Sequence, residues 1–500
     1  MRKKRLLYNT LAAIIQETIA LVCGFILPRQ MLLYYGSEVN GLVSSITQFL
    51  GFVTLLEMGV GAVVQSALYG PLSEKDDSKI SAIVKASNQY FRKIAGALFI
   101  YTVVLMVFYP LCIDDSLGYI STALLVLSIA ISTIGQYFFG ITNQLLLNAD
   151  QKSYVQLLSQ ALVTILNTTI AVLLIRMDVS IVFVKLVGSA VFLIRPMIMS
   201  VYVKKNYAID SHIKLNSDPL PQRMNAMAQH IATYIVDKTD IVVLTLLSSL
   251  TNVSIYYVYH LVTNGLYRAF LVGTTGIQSL FGDMYAKKET GKLKNTYEFF
   301  EWAVHVCIVF VFSCAGVLIL PFVTVYTNGI NDANYIQPIF GTVIVIAFGI
   351  YCLRCYYNLL VKAVGHFKQT QTGAFIEAAL NLSISVILVW KLGLIGVAIG
   401  TLAAVAYRMI YYIQYIHNNI INTSYFDVLK LVFVDVATCV LICLFTGAFH
   451  MASVSYISWG LLAIKVVIVA GFIVVCMNAL LYKDNCVHLL GMVGYRRAKQ

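Results

Sequence analysis

The sequence predicts an all-α, polytopic membrane protein of about fourteen transmembrane helices, and three observations carry that prediction. First, the chain has 500 residues, 59% of them hydrophobic and 12% charged, with a mean hydropathy of +0.80. Soluble globular chains carry about 25% charged residues, so a water-facing surface cannot be covered here, and a soluble enzyme and a disordered chain are both excluded. Second, apolar windows long enough to cross a bilayer recur along the whole length, and in lipid such a run satisfies its backbone only as a helix. Third, the basic residues alternate. Of the 35 Lys and Arg, 25 fall in the termini and every second connection, while the opposite connections hold only Arg176 and Lys391.

The windows lie at 9–35, 41–69, 94–113, 119–147, 154–175, 181–203, 227–249, 253–282, 300–326, 336–362, 370–390, 394–417, 427–449 and 457–482. The start, Met1-Arg2-Lys3-Lys4-Arg5, has the charge of a leader's first segment. Glu17 and Arg29 interrupt the run behind it and no small-residue cleavage site follows, so it reads as a first span with a basic anchor. Positive charge in short loops marks the cytoplasmic side, so both termini are expected inside and the number of spans even. The net charge of +12 then reflects topology and contact with anionic lipid, and gives no indication of nucleic acid.

The inner connections at 70–93 and 283–299 mix Lys with Ile, Val, Tyr and Phe, a pattern for short amphipathic helices lying in the interface. The stretch 204–226, with Pro219 and Pro221, reads as a cytoplasmic linker. In the eighth span Gly273-Thr274-Thr275-Gly276 interrupts the apolar run and predicts a broken helix. The outer connections are short, with Thr327–Tyr335 among the longest, which leaves no external domain to do chemistry. Cys352 and Cys355 form a C-x-x-C without a second pair, and the eight His show no metal spacing, so neither a cofactor nor a metal is expected.

The two sides of the linker carry a faint duplication. Gln65-Ser66 matches Gln278-Ser279 at an offset of 213, Gln144-Leu145-Leu146 matches Asn358-Leu359-Leu360 at 214, Asn167 matches Asn381 at 214, and Arg195 matches Arg408 at 213. The expected domains are therefore a six-helix bundle over 1–203, the linker 204–226, a second six-helix bundle over 227–417, and two extra helices with a cytoplasmic tail over 418–500. Because six is even, the halves insert in the same orientation, with substrate held between them and alternating access as one half rocks against the other.

Charges inside spans mark function, since each costs about 2.5–3.5 kcal/mol near the bilayer centre. The cations are Arg29, Lys185, Arg195, Lys238, Arg268, Arg354, Arg408 and Lys465, and the acids Glu17, Glu57, Asp237, Asp240, Glu377 and Asp435. Arg195 and Arg408 lie near cytoplasmic span ends, within snorkelling reach of water, and Lys465 lies outside the repeat. Basic groups at several depths suit an anion that must travel, because a pyrophosphate needs replacement cations along its route. The expected substrate-binding set is Arg29, Arg268, Arg354 and Lys238, joined by the amides Gln65, Gln278, Asn143 and Gln144. Glu57, Asp237, Asp240, Glu17 and Glu377 are the expected ion-coupling set, since a desolvated carboxylate moves into a titrating range; Asp237-Lys238 beside Asp240 also reads as a self-neutralising group.

Phe25-Ile26-Leu27-Pro28-Arg29, followed by Tyr34-Tyr35-Gly36-Ser37-Glu38-Val39-Asn40-Gly41-Leu42-Val43-Ser44-Ser45-Ile46-Thr47-Gln48-Phe49 and Leu55-Leu56-Glu57-Met58-Gly59-Val60-Gly61, resembles the start of the polysaccharide transporter (Wzx-type) oligosaccharide flippases of the multidrug/oligosaccharidyl-lipid/polysaccharide (MOP) superfamily. Asn148-Ala149-Asp150-Gln151-Lys152 and Asp237-Lys238-Thr239-Asp240 are similar to segments of the same group. The resemblance implies a MATE-like two-bundle fold. It also implies a transporter, not an enzyme, that flips undecaprenyl-pyrophosphate-linked oligosaccharide units to the outer leaflet of a bacterial cytoplasmic membrane. These would serve capsule, O-antigen or exopolysaccharide assembly, with H⁺ or Na⁺ as coupling ion and polymerase and export proteins as further partners. A lipid II flippase shares the pyrophosphate carrier. A cation-coupled multidrug exporter would need a carboxylate-dominated cavity, and a membrane polymerase a sizeable outer loop.

Overall fold

The computed structural model describes residues 2–57, 60–113, 115–210 and 227–494, and every described element is helical. In chain order these are α1 (Arg2–Gly51), α2 (Thr54–Glu57), α3 (Val60–Glu74), α4 (Asp77–Cys112), α5 (Tyr119–Gly135), a π-turn at Gln136–Gly140, α6 (Ile141–Ala149), α7 (Ser153–Arg176), α8 (Ile181–Phe192), α9 (Ile194–Asn206), α10 (Met227–Leu247), α11 (Leu250–Ala286), α12 (Thr290–Tyr326), α13 (Pro338–Ala363), α14 (Gln371–Leu392), α15 (Leu394–Asn419), α16 (Tyr425–Thr446), α17 (Tyr456–Leu481) and α18 (Lys483–Gly494). Among the described residues eleven helices are long and apolar enough to cross a membrane. With α1 spanning two windows, and α10 and α11 added, the elements follow all fourteen windows.

The helix starts follow local chemistry. Asp76 Oδ1 accepts from the Lys79 N–H at 3.0 Å, the Ser424 and Ser455 hydroxyls cap α16 and α17, and Pro338 opens α13 where no N–H is needed. The boundary between the first two windows is Gly36, whose φ of 83° and ψ of 175° kink α1 in a conformation open essentially only to glycine.

Three local expectations fell differently. The stretch at 70–93 is no separate interfacial helix: from Asp77 onwards it is the first turns of α4, because no Pro or Gly interrupts it before Gly96. The inner connection at 283–299 merges likewise into α12. Gly273-Thr274-Thr275-Gly276 lies within a continuous α11, since glycine keeps its N–H and weakens a helix without removing a hydrogen bond. The irregular backbone is instead in the second window, at Phe52 and Val53, and in the fourth, at the π-turn. Of the linker 204–226, residues 211–226 lie outside the described residues, as do 495–500 of the tail.

The chain forms two compact units, Met1–Tyr257 and Val258–Gln500. In the first, α1 runs along α7, α5 packs on α4 and α8, and α10 packs on α1 and α2. Gly41 lets the start of α11 approach α1, because a Cβ there would stand 1.8 Å from the Leu250 carbonyl oxygen. Asn40 donates to the Ser254 hydroxyl at 2.8 Å close by. In the second unit, α13 packs on α12 and α15, α14 on α15, and both α16 and α17 on α12. The outer faces of α16 and α17 leave Phe433, Leu444, Ile457 and Phe472 exposed, as lipid contact requires.

Candidate functional site

In the first unit the densest buried polar cluster surrounds Arg195 of α9, which is 9% exposed. Its guanidinium donates to the Gln136 Oε1 at 2.9 Å, the Gln144 Oε1 at 2.8 Å and the Gln156 Oε1 at 2.8 Å. The π-turn supplies Gln136, and the extra residue that it inserts redirects the helix face there. Among the described residues no carboxylate pairs with Arg195, so a full positive charge is held by neutral amide oxygens. Near it, Asn143 donates to the Ser200 hydroxyl at 2.9 Å, and Tyr137 donates to Glu57 at 2.7 Å.

A separate cavity of about 130 Å³ in the same unit is lined by Thr47, Ser132, Asn167, Lys185 and Ser189 together with apolar side chains. Lys185 of α8 has no ion pair or hydrogen-bond partner among the described residues. The first unit therefore carries two intramembrane cations without a counter-charge. A buried cation without a counter-charge carries its desolvation cost unoffset.

The second unit is built differently. Arg354 of α13 donates to Glu377 of α14, and the Arg408 Nε of α15 stands 3.6 Å from the other carboxylate oxygen. All three side chains are buried. Tyr351 lies under the Arg354 guanidinium at 4.1 Å, and Tyr412 under that of Arg408 at 4.2 Å, a cation–π arrangement that replaces water on the faces of the ions. One carboxylate thus stands between two guanidiniums.

The central arginines of these two clusters are one of the pairs matched in the sequence at an offset of 213. Arg195 reaches Gln144 directly, whereas Arg408 donates to Tyr412, which donates to Asn358 at 3.0 Å. Asn167 presses against Gly188, and Asn381 donates to Thr401 at 3.1 Å, again at offsets of 214 and 213. The positions 213 and 214 before Glu377 are Thr164 and Val163, neither of them a carboxylate. Snorkelling was the expectation for Arg195 and Arg408; both are buried and hydrogen-bonded instead, because amides and hydroxyls of neighbouring helices reach them where water does not.

The remaining expected residues scatter. Arg29 and Gln65 are half-buried on α1 and α3, Gln278 is half-buried on α11, and Arg268 and Glu17 are exposed on α11 and α1. Asp240 is buried and accepts from the Tyr256 hydroxyl at 2.9 Å, while the carbonyl of Lys238 accepts from Gln48 at 3.4 Å. The side chain of Asp237 lies outside the described residues. Within the first unit Gln144 belongs to the Arg195 cluster and Asn143 lies beside it; in the second, Arg354 and Glu377 form one ion pair. Arg195, Lys185 and Gln136 were absent from the expected set, although the offset of 213 between Arg195 and Arg408 was a signal for the first.

No protein-family model and no curated protein matches this sequence. Solved structures do. The chain is similar to a lipid II flippase MurJ in an inward closed conformation, at 17% identity over 96% of this chain and 99% of that one, with a TM-score of 0.71. It is similar to an inward-facing multidrug resistance MATE transporter of the MOP superfamily, at 14% identity over 81% and 98%, TM-score 0.57. A third is a MOP-superfamily transporter from Pyrococcus furiosus, described by a reverse polarity of its binding pocket, at 12% identity over 83% and 96%, TM-score 0.51. At these identities the likeness speaks for the fold alone: the chain is a multi-pass membrane protein with the fold of the MOP-superfamily transporters.

Proposed function

We propose that this chain is a flippase for a polyprenyl-pyrophosphate-linked oligosaccharide, moving it from the cytoplasmic to the outer leaflet of a bacterial cytoplasmic membrane for surface-polysaccharide assembly. The observation that carries this reading is the excess of cation within the helices of a transporter fold: Arg195 and Lys185 without counter-ions among the described residues, and two arginines beside Glu377. Fixed guanidinium and ammonium groups replace the hydration of a phosphate, whereas a carrier of organic cations needs the opposite sign. Arg29 and Arg268 are the proposed first contacts for the pyrophosphate, since they are not wholly buried, with Lys238 and the amides Gln65, Gln278, Asn143 and Gln144 toward the sugars. Alternating access completes the cycle, and H⁺ or Na⁺ drives it.

A second reading is favoured by the near-whole-chain likeness to MurJ: the substrate is lipid II, which has the same pyrophosphate carrier. One experiment separates the two. Proteoliposomes holding purified protein receive either a fluorescent polyprenyl-pyrophosphate oligosaccharide or fluorescent lipid II, and exposure on the far leaflet is read with an impermeant quencher, with and without a pH or Na⁺ gradient. Protein-dependent movement of the first alone supports the oligosaccharide reading, and movement of lipid II alone the second. A labelled cationic drug moving while both lipids stay put sinks both.

A further inference from the structure

Outside every residue assigned above, the second unit buries a chain of four titratable side chains. Glu301 and His305 stand one turn apart on α12 and are 4% and 0% exposed. The His305 Nδ1 lies 2.6 Å from the Asp435 Oδ2 of α16, its Nε2 lies 3.0 Å from the Tyr357 hydroxyl of α13, and the Glu301 carboxyl is the next titratable group beside that hydroxyl. The order is carboxyl, phenol, imidazole, carboxyl. Asp435, at 17% exposure, is the open end. A cavity of about 10 Å³ beside it and His305 is the size of one water.

Donor arithmetic gives this chain two equivalent polarities. In one, Glu301 is ionised and accepts from the Tyr357 O–H, Tyr357 accepts from the His305 Nε2–H, and the Nδ1 accepts from a protonated Asp435. In the other, Glu301 is protonated and donates to the Tyr357 oxygen, Tyr357 donates to the Nε2, and the Nδ1–H donates to an ionised Asp435. Both hold the same protons and the same charge, and both keep the two hydrogen bonds of His305. Passing from the first to the second breaks the Asp435 O–H, forms the Glu301 O–H and moves each intervening proton one bond along. Among the described residues no three His, Cys, Asp or Glu side chains converge to hold a metal, so the ion that this geometry fits is a proton.

We propose that Asp435, His305, Tyr357 and Glu301 are a proton relay that takes up one proton at Asp435, stores it at Glu301, and serves as the ion-coupling site of the transport cycle. The coupling rests on the transport reading above; the proton site does not. Other charged or titratable groups around it are Tyr297 and Glu298 on α12, Tyr356 on α13, Asp427, Lys430 and Cys439 on α16, and Tyr482 after α17. Because α16 belongs to the pair of helices outside the repeat and touches α12 through this network, losing the proton leaves an unmatched charge at their contact and weakens it.

The chain carries its own reporter. Trp302 donates to Asn478 at 2.8 Å and lines the same small cavity. Full-length protein with Trp390→Phe and Trp459→Phe keeps Trp302 as its one tryptophan, since the sequence has three. Its emission is followed from about pH 5 to 8, the range in which imidazole networks exchange protons. A one-proton transition is expected, displaced or lost in Glu301→Gln, His305→Gln and Asp435→Asn, and unmoved in the half-exposed control Glu298→Gln. Tyr357→Phe, which keeps the ring and breaks the relay, covers the case in which a carboxyl variant fails to fold. No transition in the parent, or one that none of these four variants moves, overturns the site. In proteoliposomes with the polyprenyl-pyrophosphate oligosaccharide, Glu301→Gln is expected to lose stimulation by a pH gradient while keeping gradient-free flipping; retained stimulation overturns the coupling. An intact titration with no flipping under any condition overturns the transport reading instead.

Discussion

Glu377 holds two guanidiniums in a place that water does not reach, so its charge matters more than that of any exposed acid in the chain. Glu377→Gln leaves Arg354 and Arg408 facing each other, and breaking a buried pair in this way costs about 3–5 kcal/mol. The variant is expected to lose thermal stability in detergent and to accumulate poorly. Arg354→Ala behaves similarly, because it orphans Glu377. Arg29→Ala and Arg268→Ala are different. They are expected to cut surface polysaccharide at an unchanged protein level, measured by immunoblot beside a polysaccharide assay, and normal polysaccharide in both removes them from the substrate path. Asp150, between the membrane-spanning segments, supplies a pH prediction. Burial pushes its carboxyl up, but hydrogen bonds from Lys152 and Tyr207 and the charges of Lys152 and Arg5 outweigh burial and hold it below the usual carboxylate range. A depressed carboxyl stabilises above its unfolded value of about 3.9 and loses that contribution as pH falls through the folded one. Thermal stability below about pH 4 is therefore expected to fall more steeply in the parent than in Asp150→Asn.

At the scale of the element, one helix carries two adjacent features that its hydropathy hides. Gly36 bends α1 in a backbone conformation costing a side chain about 1–3 kcal/mol, so Gly36→Ala is expected to lower the unfolding midpoint measurably. Gly41→Ala is expected to be worse, since its Cβ meets the Leu250 carbonyl with no flexible side chain to give way, and folded protein should be scarce by size exclusion. A Gly41→Ala protein of parental stability would mean that α1 and the start of α11 do not approach as described. Helix existence and order were legible here because bilayer thickness fixes the apolar run. Whether a run stays one helix was not. Gly273 and Gly276 looked like a break and are not one, while Gln136–Gly140 gave no warning of a π-turn, which lies where that span packs against α4 and α9.

For the whole molecule the even number of spans and the alternating basic loops make one prediction. A fluorescent protein that folds only in the cytoplasm, fused after Gln500, is expected to be bright, and an alkaline phosphatase fusion at the same place inactive; the reverse pattern overturns the orientation. Four matched pairs made a repeat the expectation from sequence; at two of them Arg195 bonds Gln144 directly, while Arg408 reaches Asn358 through Tyr412. What no offset revealed is that, among the described residues, a carboxylate stands beside Arg408 and neutral amides surround Arg195. Glu301, His305 and Asp435 were likewise invisible as a group. They lie on two helices 130 residues apart, and only α16 docking on α12 brings them together.

By itself the sequence determined the solvent and the number and order of the helices. These follow from local composition against a bilayer of fixed thickness and from the cost of moving charge across it. Tertiary structure alone decided which intramembrane charges are neutralised and which are left over. Pairing is a matter of a few ångströms between side chains on different helices, and hydropathy is blind to distances of that size.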